Sequence, residues 1–463
     1  MTTAPQPQFD LQPLRTALAG TLTTAADSAW DTARQAWNLA VDQQPAAVVH
    51  AVSAADVTAT VNVARELGLP VAVQGSGHGA APLGPLDGTL LLRTGRMDGL
   101  RIDPAARVAR AEAGALWGPV AIGAGEHGLA ALAGSSIDVG VVGYTLGGGI
   151  GWLARSHGLA CNRVRAIELV TADGESRRVD HEGEPELFWA LRGGGGSFGA
   201  VTAVEFELVE LPEVYAGALF WPAAASAEVL HAYREWARAV PEQLTSIIRL
   251  LRLPPLPEVP EPLRDTPVID LGFAYAGDPA EGEQLIRPLR ELAPTLIDTC
   301  GAMPAAELRG LHGDPEQPVP GIGNHTMIAD LSADAVDALL GVAGHESGSP
   351  LLGVELRQLG GALARAEDGH GALATLEGEY ALYGVGVPMT PGLAQAIPER
   401  LEAVVETMAP WSTGGSYLNF GDAPGQDTGT AFDAETYARL RAVKRSFDPD
   451  DLFRSNHPIP AAD

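Results

Sequence analysis

The sequence predicts an α+β protein built from two domains. Three observations carry this. Residues 44–211 alternate short apolar strands with helices and are broken by glycine-rich loops. Residues 212–411 lose those loops and read as apolar strands joined by helices, the pattern of an antiparallel sheet covered by helices on one face. Residues 412–463 then return to the texture of the first stretch. At 463 residues the chain exceeds one ordinary core.

The elements follow in order. Residues 1–43 form an N-terminal segment read as helical over 11–40, because Leu11, Leu14, Leu18 and Leu22 recur at helical spacing and Trp30 and Trp37 extend the stripe. A strand at 46–52 leads to Ser53, a helix cap, and the helix ends at Gly68. A strand at 69–73 runs into Gly75–Gly79. Strands at 90–92 and 108–111 flank turns at Asp98-Gly99 and Asp103-Pro104. Helices are expected at 117–127 and 151–158, a hairpin at 166–179 across Asp173-Gly174, a helical turn at 185–191 and a strand at 201–208. In the second domain, strands fall at 215–221, 246–253, 268–275, 326–330, 351–359 and 380–387, and helices at 225–240, 280–292, 333–342 and 393–408. The proline-rich 253–267 reads as a surface loop or an oligomer contact. A short strand at 417–420 and a helix at 434–446 complete the chain.

Composition narrows the function. Apolar residues make up 46% and charged residues 19%, as in a globular enzyme. The net charge of −28 repels nucleic acid and anionic membranes. No apolar run reaches the ~20 residues of a membrane span, and the N-terminus lacks an export signal, so a cytoplasmic monomer or homodimer is expected. Cys161 and Cys300 form no CxxC, and no metal site is expected. Lys444 is the single lysine.

The glycine loops carry the chemistry. Residues 134–151 hold seven glycines and no Lys or Arg. Such density permits close approach to the main chain, and the stretch reads as a loop laid against a large flat ligand. Residues 73–79 and 192–201 echo it. GxGxxG strings at 123–128 and 194–199 lack the strand–glycine–helix order of a dinucleotide fold, and there is no P-loop. His78, inside GSGHG, is either a histidine bonded to its own tight loop or a nucleophile facing a ligand edge.

At this point the residues carry a resemblance. VAVQGSGHG (71–79), VGVVGYTLGGGIGWL (139–153), HGLACNRVRAIELVTADGE (157–175), ELFWALRGGGGSFGAVT (186–202), YLNF (417–420) and YARLRAVKRSFDPDDLFRSNHPI (437–459) occur in one order. The chain resembles the berberine-bridge-enzyme-like branch of the vanillyl-alcohol-oxidase flavoproteins. The resemblance implies a two-subdomain PCMH-type FAD-binding domain at 44–211, a substrate domain at 212–411 and a C-terminal piece at 412–463 that completes the flavin domain. It implies FAD held covalently through His78 to the flavin 8α-methyl. Gln74, Gly75, Ser76, Gly77, Gly79, Ser135, Ser136, Val139, Gly140, Gly143, Gly148, Gly151, Val201, Asn419 and Asn456 would contact the cofactor.

Many relatives carry a cysteine where this chain has Ser136, giving a second link at flavin C6. An alcohol is a weaker nucleophile than a thiolate, so a single link is expected. Cys161 reads as a buried inert thiol. Val139 goes with oxygen access in similar proteins, or simply packs the loop. Tyr417 and Asn419 alternate on one face of the expected strand. They are surface residues, or a pair over the flavin in which a phenol of lowered pKa takes the substrate proton. Arg249, Arg357 and Tyr383 are the substrate candidates, with Glu355, Glu377, Glu379 and His325 on or near the same strands. The expected function is an oxidase passing hydride from an alcohol-type small-molecule substrate to FAD, with O2 as acceptor and H2O2 as product. An amine oxidase of the 6-hydroxynicotine-oxidase type, a dehydrogenase with another acceptor, and a flavin carrier without turnover are the alternatives.

Overall fold

The computed structural model describes residues 9–423 and 425–462. Residues 1–8 of the N-terminal segment lie outside them.

The N-terminal segment is not one helix. It breaks into a helix Gln12–Ala17, a strand Thr21–Thr23 and a helix Trp30–Arg34. The cause is Asp56, whose carboxylate accepts from Ala19 N at 2.8 Å, Gly20 N at 3.1 Å and Val52 N at 2.9 Å. The first two of those N–H groups are thereby withdrawn from a helical ladder. The β-branched TLT run pairs with Ala47–His50 instead.

Three large sheets follow, beside a two-stranded pair of Leu129–Ala130 with Val209–Glu210. The first orders Thr21–Thr23, Ala47–His50, Leu90–Arg93 and Val71–Gln74, the last three parallel. The expected helix spans Ala54–Leu67; Ser53 caps it by accepting from Asp56 N, and Gly68 ends it at φ +64°. The second sheet is antiparallel, ordered Leu100–Asp103, Val108–Glu112, Ala200–Glu207, Val164–Val170 and Ser176–Val179. Its strand Leu100–Asp103 departs from the sequence expectation, because its half-exposed alternation lies between two turn signals.

The third sheet orders Ile297–Asp298, Glu213–Pro222, Pro267–Tyr275, Leu244–Arg252, Gly353–Gln358, Tyr380–Gly386 and Ile322–Ile328, with Gly301–Pro304 beside the second of these. Helices Ser226–Ala239, Pro279–Arg290, Ala333–Ala343 and Pro391–Met408 accompany it. Alternation along the strands places Ile248, Leu271, Leu356 and Leu382 in one core with Tyr233, Leu339 and Leu401 of those helices. The opposite sheet face meets the glycine loops, where Met327 and Ala381 pack with Ile150 and Tyr417.

Two local expectations are corrected. The central glycine run contains a helix, Val141–Leu146, since its six residues lie between glycines and Thr145 Oγ donates back to Val141 O at 2.7 Å. Residues Leu418–Phe420 form a 3₁₀ turn, not a strand.

The C-terminal helix Ala434–Phe447 is capped by Asp433 and carries Lys444, which is fully buried. Its ammonium lies 2.6 Å from Asp448 Oδ2 and 2.8 Å from Asp451 Oδ1, and donates to Ser197 O at 3.0 Å. Asp448 also accepts from Leu452 N and Phe453 N, which docks the terminal segment on Val71. Lys444→Met strands the buried Asp448 carboxylate, and urea unfolding is expected to show a loss of about 3–5 kcal/mol.

Candidate active site

The strand Val71–Gln74 delivers His78 through a tight turn, with Gly77 at φ +97°. His78 Nδ1 is 2.9 Å from Ser76 Oγ, and its ring stacks on Trp37 with centroids 4.0 Å apart. Nε2 lies 3.3 Å from Asp138 Oδ1, and the Trp37 indole N–H donates to Asp138 Oδ2. The imidazole is thus hydrogen-bonded to Ser76 and stacked on Trp37, with Asp138 near Nε2 but not hydrogen-bonded to it. Neither Trp37 nor Asp138 stood out as a site residue in the sequence; an acid two residues past Ser136 was the available signal.

The glycines of the central loop divide into two groups. A Cβ at Gly140 would meet nothing closer than Ser76 Oγ at 3.8 Å, and one at Gly143 would meet nothing within 4 Å. By contrast, a Cβ at Gly147 would collide with Asn419, one at Gly148 would press on Tyr417 and Leu373, and one at Gly151 would collide with the Ala133 carbonyl. At Gly148 and Gly151 the close neighbour that demands glycine is therefore the protein itself. Val201 is buried in the second sheet, opposite Leu169. Asn456 Nδ2 lies 3.1 Å from where a Gly79 Cβ would sit, which brings the C-terminal segment to the His78 turn. The Val139 carbonyl accepts from Trp117 N at 3.1 Å.

Tyr417 and Asn419 meet although they share a turn, not a strand. Tyr417 Oη accepts from Gly149 N at 2.9 Å and from Asn419 Nδ2 at 3.1 Å. Asn419 also donates to Tyr144 O at 2.9 Å. Burial pushes the Tyr417 phenol above its ordinary value, and those two donors only partly offset it. The expectation of a lowered phenol is thereby overturned: desolvation of the phenolate outweighs two hydrogen bonds. Tyr417 N donates to His325 Nε2 at 2.9 Å, so the neutral ring carries its proton on Nδ1. Burial holds that imidazole down at about 4.

The third sheet brings the substrate candidates together. In its register His325 faces Tyr383, Tyr383 faces Glu355, Glu355 faces Arg249, and Arg249 faces Asp270. These five form one polar row across five strands, and Arg357, two residues past Glu355, shares their face. The Arg357 guanidinium lies 5.0 Å from the Phe420 ring centre. Phe420 in turn contacts Tyr417 at 5.2 Å and Tyr383 at 5.1 Å between centroids. Tyr383 Oη donates to Asp422 Oδ2 at 2.6 Å, and burial pushes that carboxyl up to about 6. Arg249 is bound to buried Asp270 at 2.7 Å. Glu379 is drawn away to Arg238, and Glu377 is exposed. Phe420 and Asp422 were missed, although they lie one and three residues beyond Asn419.

Residues 45–180 match the family described as FAD binding domain, and residues 416–460 match the one described as berberine and berberine like. The chain thus carries an FAD-binding domain and a berberine-like C-terminal piece, and its relatives include FAD-linked oxidoreductases of the berberine-bridge-enzyme-like kind. It is 29% identical over 453 residues to (R)-6-hydroxynicotine oxidase of Paenarthrobacter nicotinovorans, covering 94% of this chain and 95% of that protein. It is 35% identical to glucooligosaccharide oxidase of Sarocladium strictum over 223 residues, 47% of this chain and 44% of that one. Its fold superposes on the crystal structure of 6-hydroxy-D-nicotine oxidase from Arthrobacter nicotinovorans with a TM-score of 0.84 and 26% identity, covering 97% and 99% of the two chains.

The site of this oxidoreductase fits FAD. Both amide atoms of Gln74 are buried without a hydrogen-bond partner among the described residues, at the mouth of the Gly75–Gly79 turn. The space beside Gly140 is bounded only by Ser76, and that beside the exposed Gly143 is open. Ser136 Oγ donates to Asp314. Cys161 is buried, and desolvation pushes its thiol up to about 12, as an inert thiol requires. Among the described residues no helix is long and apolar enough to cross a membrane.

Proposed function

We propose that this flavoprotein is an oxidase with one covalent cofactor link, through His78, that oxidises a hydroxyl-bearing carbon and passes the electrons to O2, releasing H2O2. The observation that carries the reading is the polar row His325–Tyr383–Glu355–Arg249–Asp270, joined through Phe420 to Tyr417. Its arginines are paired with carboxylates, which suits a neutral, hydrogen-bonding substrate. Gln74, Gly75, Ser76, Gly77, Gly79, Gly140, Gly143 and Asn456 would hold the cofactor. FAD, when bound, supplies the two-electron acceptor for hydride from the substrate carbon. The division into 44–211, 212–411 and 412–463 assigns the cofactor to both chain ends and the substrate to the middle.

The protein's own part is proton handling. The Tyr417 oxygen already accepts two N–H bonds, so its O–H is the group left to hold the substrate heteroatom. The substrate proton passes to the Tyr383 oxygen while the Tyr383 proton moves to Asp422. A carboxyl near 6 is matched to that task, since it is mostly ionised at neutral pH. Flavin reduction is therefore expected to rise with pH through about 6, and stopped-flow rates of Asp422→Asn should lack that limb.

A second reading, oxidation at a C–N bond, is favoured by the end-to-end likeness to (R)-6-hydroxynicotine oxidase. Peroxide release measured over panels of sugars, simple alcohols and cyclic amines separates the two. Turnover on amines alone overturns the first reading; turnover on neither panel, with flavin reduced anaerobically, points to an acceptor other than O2.

A further inference from the structure

Six polar side chains from three parts of the chain close a circuit at the flavin loop. Ser136 Oγ donates to Asp314 Oδ2. Asp314 Oδ1 lies 2.6 Å from His312 Nδ1, and His312 Nε2 lies 3.0 Å from Glu355 Oε2. Glu355 Oε1 accepts from Arg357 Nε at 2.6 Å, and Arg357 Nη2 donates to Ser135 Oγ at 3.2 Å. Ser135 and Ser136 are neighbours in the chain, so the circuit is complete.

The geometry decides the state of the histidine. Each ring nitrogen faces a carboxylate oxygen at hydrogen-bond distance, and carboxylates only accept. A neutral imidazole has one N–H and can satisfy one of them; the imidazolium satisfies both. Charge balance points the same way. The charged groups facing His312 are Asp314 on its own segment, Glu355 on Gly353–Gln358, Arg249 on Leu244–Arg252, which also donates to the His312 carbonyl, and Asp270 on Pro267–Tyr275, while Arg357 adjoins through Glu355. With His312 charged, three cations (Arg249, Arg357, His312) meet three carboxylates (Asp270, Glu355, Asp314). A neutral ring would leave a buried excess of negative charge. Burial acts against the imidazolium, but the two carboxylates outweigh it and lift it above its ordinary range.

We propose that His312 is a positioning residue: its imidazolium fastens the Ser135–Ser136 loop to the strand that carries Arg357, and loss of either N–H releases that loop. The proposal rests on the reading that this loop borders the flavin. Because the folded state binds the proton more tightly than the unfolded chain, the contribution is complete below the ordinary histidine range. It is lost as pH rises through the folded value.

The test uses the holoenzyme labelled with ¹⁵N-histidine. Imidazole ¹⁵N shifts should show His312 protonated at both nitrogens at pH 7. Its deprotonation should coincide with a step in the visible circular dichroism of the flavin and a fall of several degrees in Tm. H312Q should be fixed in the high-pH dichroic form with no step. A neutral His312 tautomer at pH 7, or a step unchanged in H312Q, overturns the proposal. Should H312Q fail to fold, S136A opens the circuit at its loop end alone; wild-type dichroism at every pH in S136A would equally overturn it. Colour retained after acid precipitation reports the covalent link separately, so failure of that link is not mistaken for failure of the circuit.

Discussion

Acid-precipitated His78→Ala protein is expected to give a colourless pellet and a yellow supernatant, while the wild-type pellet stays yellow. The expected loss of covalent flavin is complete, because no second group stands ready. Ser136 is an alcohol tied to Asp314. Cys161 is buried, its thiol pushed up to about 12, and it faces the Leu373 carbonyl rather than the His78 turn. His78, in contrast, is oriented by its bond to Ser76 and its stacking on Trp37 before any ligand is considered. Ser136→Ala should therefore retain its colour. Mass spectrometry of the denatured polypeptides measures both, and a wild-type chain without the added mass of FAD removes the covalent reading.

The second large effect is expected at Tyr417. Tyr417→Phe should slow anaerobic flavin reduction on the order of 10²-fold for whichever substrate turns over. Its ring would still fill the space beside Gly148 and contact Phe420, so the fold should persist with a stability loss of about 1–3 kcal/mol for the unpaired donors. The lost oxygen leaves the Gly149 and Asn419 N–H groups without their acceptor and the substrate heteroatom without its donor. Asn419 keeps the Tyr144 carbonyl, so its position should persist. An unchanged rate would remove Tyr417 from the chemistry and leave Tyr383 and Asp422 as the proton path.

Local rules read well where the signal was local. Ser53 and Gly68 bound a helix where cap chemistry said they would, and Asp173-Gly174 makes its hairpin with Gly174 at φ +84°. Five strands of the third sheet fall where apolar runs placed them, but Ile322–Ile328 begins four residues before the expected 326–330, and the short edge strands Ile297–Asp298 and Gly301–Pro304 gave no apolar signal. The failures have long-range causes. Residues 11–40 carry a helical leucine spacing, yet Asp56, far along the chain, takes the N–H groups that the helix needs. The Tyr417–Asn419 pairing was legible, but not its geometry: the chain turns there, and Asn419 reaches back to the Tyr417 oxygen. Glycine density in 134–151 announced close approach without saying to what. Part of it accommodates Tyr417 and Asn419, and part stays open.

The amino-acid order alone was enough to name the cofactor and the family, because ordered glycine strings and one histidine form contiguous signatures that survive without coordinates. Which polar side chains act together was not in that order. Arg249, Glu355, Tyr383 and His325 became one row through cross-strand register, and His312, with Asp314, joined Ser136 to Glu355 from a distant part of the chain. Register and docking are set by the burial of whole faces against one another, a sum over many apolar contacts that no single residue announces.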